Sequence, residues 1–382
     1  MEELETLSRI ALSHAIHDVS DVSLLQRVVH AVGAVAALRD IRAGAVPPEF
    51  DGMADARENA RRVARWRAAV QDADPFADLA AAEQVCARFL TPDSREWPPL
   101  LTDLGWHQPL GVWVRGPAHL RECGTRSATI IGSRVATDYG RHMAGEIAQE
   151  LGRRGHTIIS GLARGIDRAV HEGALAVEAT TVAVLGTGVD VCFPAEHRDL
   201  FDAIITQGAV VSEYPPGTRE SAGRLLARNR LAAALGQIVV VAEMRPRSGT
   251  MSTFRHAERL GRPIGAVPGP ATSQEAEGCN QILHEGRAIL VGQLAHVTAL
   301  GDGTRCVCSD TVYSAAGRCP QPDRMDHHMC PRRSTVVRRD AVNRSTRVAS
   351  QLMDARTATE HQQEDASGRR GAYRWAAPDP TP

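Results

Sequence analysis

The chain has 382 residues, 43% of them hydrophobic, enough for two or three domains with buried cores. Its 44 basic and 45 acidic residues give a formal net charge of −1, which says nothing against nucleic acid because a local basic groove fits within a neutral total. None of the basic residues is lysine, which excludes a lysine-dependent phosphate loop, and no apolar stretch approaches the ~20 residues of a membrane span.

Residues 1–95 carry helical spacing and almost no strand signal. Leu4, Leu7 and Ile10 recur at helical intervals, as do Leu24, Leu25, Val28, Val29 and Val32. The spacing predicts further helices over 56–71 and 78–90, the last ending before Thr91-Pro92-Asp93. The first five residues, Met1-Glu2-Glu3-Leu4-Glu5, are acidic and lack a signal-peptide pattern, so a soluble cytoplasmic protein with no membrane partner is expected. Cys86, Cys123, Cys192 and Cys279 lie scattered and read as reduced thiols.

Leu110–Gly116 reads as a short strand. Strand signals then fall at 128–132, 157–160, 181–185, 209–212, 238–242 and 264–267. Amphipathic stretches at 138–153 and 166–177 are long enough to be crossover helices. This alternation predicts an α/β fold with a doubly wound, mostly parallel sheet. Thr181–Leu185 and Ile238–Val241 are continuously apolar, as strands covered on both faces should be. After residue 300 the character changes. Gly301–Pro382 holds seven Val or Leu residues and no Ile or Phe, so an arginine-rich, disordered tail is expected over 301–382. Its Cys306, Cys308, Cys319, His327, His328 and Cys330 are zinc-ligand types, but their spacing fits no common zinc plan, and no metal or other cofactor is assigned.

The densest chemistry lies at the strand ends. Gly132-Ser133-Arg134 closes one apolar run, and Ser160-Gly161-Leu162-Ala163-Arg164-Gly165-Ile166-Asp167 closes the next. Glycines at strand-to-helix turns let backbone N–H groups approach a phosphate, and Arg134 and Arg164 can hold its oxygens. Asp167 and the Ser160 hydroxyl are expected to organise the turn and cap the following helix. Gly186-Thr187-Gly188 adds a third turn at the same edge, close to Phe193, whose ring either stacks on a base or packs beneath the loop. Arg228 and Arg230 flank Asn229 and point to different helix faces, so one can reach ligand while the other pairs with Glu213 inside the fold. Arg247-Ser248-Gly249-Thr250 follows the fifth strand and forms a further turn there. A hydrolase would need a base, and the acidic groups near this edge are few: Asp167, Asp190, Glu213 and Glu243. Binding of an anionic ligand is therefore better supported than catalysis.

In order, Ile130–Arg134, Tyr139-Gly140, Ser160–Asp167, His171, Ala183–Asp190, Ser212–Gly217, Arg228–Arg230, Arg247–Gly249 and Val267–Gly269 resemble the DprA/Smf family of DNA-processing proteins. The resemblance covers about 105–300, and the helical front end over 1–95 is compatible with actinobacterial-type members. It implies an extended Rossmann-like core that binds single-stranded DNA independently of sequence and loads RecA during natural transformation. It further implies a homodimer with no established catalytic activity. Carried over by position, Arg134 is the candidate phosphate contact, with Gly132, Ser133, Ser160, Gly161 and Arg164 lining the same pocket. Gly165, Gly188, Phe193, Arg228 and Arg230 complete the expected DNA-binding set. The alternative is a Rossmann-type nucleotide enzyme such as a nucleoside-monophosphate phosphoribohydrolase. Its Pro-Gly-Gly-x-Gly-Thr-x-x-Glu motif has only a partial counterpart in Pro246–Thr253, which lacks the glycine pair and the glutamate.

Overall fold

The computed structural model describes residues 2–45, 47 and 55–301, so the tail expectation and its cysteine–histidine group lie outside the described residues. The chain opens with helices α1 (Glu2–Ser13), α2 (Val19–Val32), α3 (Ala34–Ala43), α4 (Ala56–Gln71) and α5 (Pro75–Gln84). Local chemistry sets their ends. The Asp18 carboxylate accepts the first-turn amides of Ser20 and Asp21, Gly33 at φ +80 turns the chain between α2 and α3, and Asp74 caps α5 ahead of Pro75. Their apolar faces bury Leu12, Leu25, Ile41 and Trp66 in one cluster that also takes in Leu110 and Tyr214 from the following region. The helices and the sheet thus share packing. Asp21 is fully buried there, accepting from Trp66 Nε1 at 2.9 Å and Arg65 Nη2 at 2.7 Å.

The helix expected over 78–90 is cut short. It stops at Gln84, Cys86 takes a positive φ of 55, and Ala87–Leu90 forms strand β1. The cause is non-local. After a 3-10 segment over Pro99–His107 comes β2 (Val112–Arg115), which pairs antiparallel with β1. The Phe89 ring lies where a Cβ on Gly111 would be, 2.1 Å away, and tilts against Trp113 at 4.7 Å between centroids.

There follow α6 (Leu120–Cys123), β3 (Ser127–Gly132), α7 (Asp138–Arg153), β4 (Thr157–Ser160), α8 (Ile166–Ala176), β5 (Thr181–Val184), α9 (Arg198–Gln207) and β6 (Ala209–Ser212). The chain then runs through α10 (Ala222–Ala227), α11 (Asn229–Leu235), β7 (Ile238–Glu243), α12 (Gly249–Arg259), β8 (Ile264–Ala266), α13 (Glu277–His284), β9 (Ile289–Leu290) and α14 (Leu294–Gly301). The six sheet strands expected between 128 and 267 are therefore present, each within a residue of its expected bounds. Among the described residues the strands form one sheet in the order β1-β2-β6-β5-β4-β3-β7-β8-β9. Neighbours from β6 through β9 are parallel, and β1 and β2 add an antiparallel edge. This is the mixed, mostly parallel Rossmann-like architecture. From β3 the chain winds outward to β6, then returns to lay β7 on the other flank of β3. The reversal between β3 and β7 is where open α/β sheets bind ligands. Among the described residues no single helix is long and apolar enough to cross a membrane.

Candidate functional site

At that reversal the carboxyl ends of β3, β4 and β7 open into a cleft of about 510 Å³, lined by Ser133, Arg134, Gly161, Arg228, Arg245 and Thr250 among others. The exit from β3 is tied down by its neighbours. Ser133 N donates to Glu243 O at 2.8 Å, and Thr250 Oγ1 donates to Gly132 O at 2.8 Å. Gly132 is a glycine because a Cβ there would sit 2.3 Å from Ile166 Cγ1. Arg134 then emerges exposed at the cleft, and its guanidinium has no ion pair or hydrogen bond among the described residues.

The second motif is built around packing. Ser160 Oγ donates to Ile130 O at 2.7 Å, bonding β4 to β3 rather than facing ligand or capping α8. The guanidinium of Arg228 lies over Gly161, where an added Cβ would stand 1.9 Å from Nη1 and 2.4 Å from Cζ. Arg228 Nη1 donates to Val184 O at 2.8 Å, while Nη2 stands 3.6 Å from Asp167 Oδ2. Its side chain is 8% exposed, and burial lowers its pKa from the usual arginine value. Gly161 O is gripped by the fully buried His171, whose Nε2 lies 2.6 Å away with Thr181 Oγ1 2.7 Å from Nδ1. Burial pushes the His171 pKa down to about 4, so the ring is neutral at physiological pH and donates from Nε2. Gly165, at φ +77, brings its backbone so close that a Cβ would meet Ser133 O at 2.4 Å. Ile166 N closes the contact on the same oxygen at 3.1 Å.

The other expected arginines differ in fate. Arg164 is exposed but held by Glu196, with Nη2 to Oε2 at 2.6 Å, and it does not line the cleft. That hydrogen-bonded pair raises the Arg164 pKa and lowers that of Glu196. Arg230, expected among the DNA contacts, is corrected by its burial. It is 0% exposed, with Nη1 and Nη2 paired to Glu213 Oε1 and Oε2 at 2.6 and 2.5 Å. Its Nε donates to His107 O at 2.8 Å, leaving no face for an external anion. Gly188 and Phe193 also lie outside the cleft lining. Gly188 N donates to Thr218 O at 2.8 Å, and Phe193 is half-buried before the cis bond to Pro194.

The four acidic groups expected near this edge are all engaged, whereas Glu220, which was not expected there, also lines the cleft. Asp167 accepts from Ala163 N at 3.1 Å and Asp190 from Gly217 N at 2.8 Å. Glu243 accepts from Thr137 N and Oγ1 at 2.8 and 2.6 Å, and Glu213 holds Arg230. Two further features escaped the sequence reading. Arg245 lines the cleft two residues beyond β7, and Glu275 meets it from the segment before α13. The start of α12, with Ser248, Gly249 and Thr250, also faces the cleft, with no side-chain cap and no acidic residue in its first turn. Such a terminus carries partial positive charge. The Ser-Gly-Thr turn signal marked its place, whereas nothing local pointed to Glu275.

The family model for DNA recombination-mediator protein A matches residues 88–300. The chain is 38% identical over 311 residues to a DNA processing protein DprA of Mycobacterium tuberculosis, covering 77% of each. The X-ray structure of DprA from Streptococcus pneumoniae is similar with a TM-score of 0.61 at 27% identity, covering 78% of this chain and 97% of that one. A structure of DprA from Helicobacter pylori, described for its single-stranded DNA binding mode, is similar with a TM-score of 0.50 at 26% identity. That match covers 56% of this chain and 95% of the other.

Proposed function

Because the chain belongs to the DNA recombination-mediator protein A family, we propose that it binds single-stranded DNA without sequence preference at the β3–β7 cleft. From there it protects the strand and loads RecA onto it in recombination and natural transformation, working as a homodimer. One observation carries this reading: Arg134 stands exposed and, among the described residues, unpartnered in the cleft that the uncapped start of α12 also lines. A guanidinium and helix-end amides grip phosphate oxygens, which carry no base information, so affinity without sequence preference follows. Gly132, Ser133, Gly161 and Gly165 shape the turns that present these donors, and Arg228 underpins the second turn from below.

A non-catalytic role is supported by the carboxylates. Asp167, Asp190, Glu213 and Glu243 each hold a backbone or arginine partner, so none of these four stands free to activate a water. The alternative nucleotide enzyme draws support from the cleft's volume of about 510 Å³, within the range of small-molecule sites. A screen of nucleoside monophosphates is expected to release no base.

The direct test is fluorescence anisotropy of labelled oligodeoxythymidine at several salt concentrations. Wild type should bind with strong salt dependence. Arg134→Ala should weaken binding by about tenfold or more, the loss of one charge-assisted contact. The log–log salt slope should become shallower by about 0.7. Equal affinity of the two proteins would sink the assignment of Arg134. RecA loading is read separately, as faster RecA assembly on strands covered by single-strand-binding protein, and Arg134→Ala should lose that acceleration.

A further inference from the structure

The Glu275 carboxylate lies behind the cleft wall and meets two of the lining residues, Ser133 and Arg245. Oε2 accepts from Ser133 Oγ at 2.9 Å, and Oε1 accepts from Arg245 Nε at 2.6 Å. Ser133 follows β3 and Arg245 follows β7, so these donors come from the two strands flanking the reversal. Glu275 is 8% exposed, whereas the Arg245 side chain is 51% exposed and open to an incoming ligand. A carboxylate and a phosphate ask for the same partners, a planar guanidinium fork and a hydroxyl.

We propose that Glu275 is a resident competitor for phosphate that makes the cleft select a strand over a free nucleotide. The inference rests on the reading of the cleft as a phosphate site. At Arg245 and Ser133 a lone mononucleotide must displace the carboxylate with its single phosphate, without a second anchor. A strand held at Arg134 and the α12 terminus presents its next phosphate at high effective concentration, which offsets the loss of the Glu275 bonds to Ser133 and Arg245. Once displaced, Arg245 becomes one more phosphate contact.

The test titrates labelled oligodeoxythymidine, then competes with thymidine monophosphate, for the full chain and its Glu275→Gln and Glu275→Ala variants. Glutamine keeps one acceptor for Ser133 and replaces the oxygen that holds Arg245 with an amide donor, which releases the guanidinium. It should tighten oligonucleotide binding by about tenfold, the cost of lifting the carboxylate off Arg245 and Ser133. Thymidine monophosphate should compete measurably against Glu275→Gln and not against wild type. Adding Arg245→Ala to Glu275→Gln should cancel the gain. Wild-type binding with unchanged or weaker binding in both Glu275 variants overturns the inference and leaves the DNA reading intact. If neither wild type nor either variant binds the oligonucleotide at low salt, the DNA reading fails and the competitor role falls with it. Melting curves on the same samples identify a variant that has lost its fold, and the other variant then decides.

Discussion

Replacing Gly161 with alanine should unfold the second motif from within. The new methyl would lie 1.9, 2.1 and 2.4 Å from Nη1, Nη2 and Cζ of Arg228, far inside any tolerated contact, so the guanidinium must move by an ångström or more. It has nowhere to go without loss. Its Nη1 gives up the 2.8 Å bond to Val184 O, and the 3.6 Å approach to Asp167 opens in a setting where both side chains are 8% exposed. A buried charge-assisted hydrogen bond contributes about 1.5–3 kcal/mol, and breaking a buried ion pair costs about 3–5 kcal/mol. Gly161→Ala should therefore destabilise the protein by about 3–5 kcal/mol, read from urea or thermal unfolding. Arg228→Ala removes the obstacle, so the double variant should be no less stable than Arg228→Ala alone. The corresponding coupling energy is about 2 kcal/mol or more. Gly161→Ala within about 1 kcal/mol of wild type, or simple additivity in the cycle, would refute the claim that this glycine exists to seat an arginine.

Glu213→Ala strands the guanidinium of Arg230 at 0% exposure and should cost about 3–5 kcal/mol in thermal unfolding. The double replacement Glu213→Leu with Arg230→Met should recover most of it, and a double variant no more stable than Glu213→Ala would count against this account. Acid should weaken the fold through His171, whose pKa falls from an ordinary 6.5 to about 4 on burial. Between those values the unfolded chain binds a proton that the native ring refuses, so the stabilisation present above pH 6.5 is lost as pH falls toward 4, by up to about 3 kcal/mol. His256, also lowered to about 4 by burial, acts in the same direction. His171→Gln should accordingly lose less stability between pH 7.5 and 4.5 than wild type, and equal losses would remove His171 from the explanation.

The parallel strands were legible because each is an apolar run whose partners run alongside it and whose two faces are covered. Ala87–Leu90 was not, because nothing in those four residues opposes a helix. They are a strand only because β2 stands beside them and Gly111 leaves room for the Phe89 ring. The glycines were legible as positions and misleading as to cause. Loops that cradle phosphate and loops that admit a close neighbour both require glycine. Here Gly132 yields to Ile166, Gly161 to Arg228 and Gly165 to a carbonyl, with amides such as Ser133 N already bonded inside the fold.

The arginines carry the harder lesson. Arg134, Arg164, Arg228 and Arg230 are chemically identical in the sequence, and a site assigned by residue type takes all four. What separates them is a carboxylate elsewhere in the chain: Glu196 stands 32 positions from Arg164, and Glu213 stands 17 from Arg230. A partner at such a distance is invisible to motif reading, because only the fold fixes which acid meets which base. Arg228, near Asp167, serves as a packing group under Gly161. Arg134 is left with its charge unanswered among the described residues, at the point where the sheet reverses. An unanswered guanidinium can stay in water without penalty, so its exposure alone proves little. Its setting makes the difference: an uncapped helix start lining the same cleft, and a carboxylate from 142 positions away already on the neighbouring serine. The cleft therefore attracts anions even within its own chain, and a polyanionic strand is the external ligand that satisfies Arg134 and the helix start together.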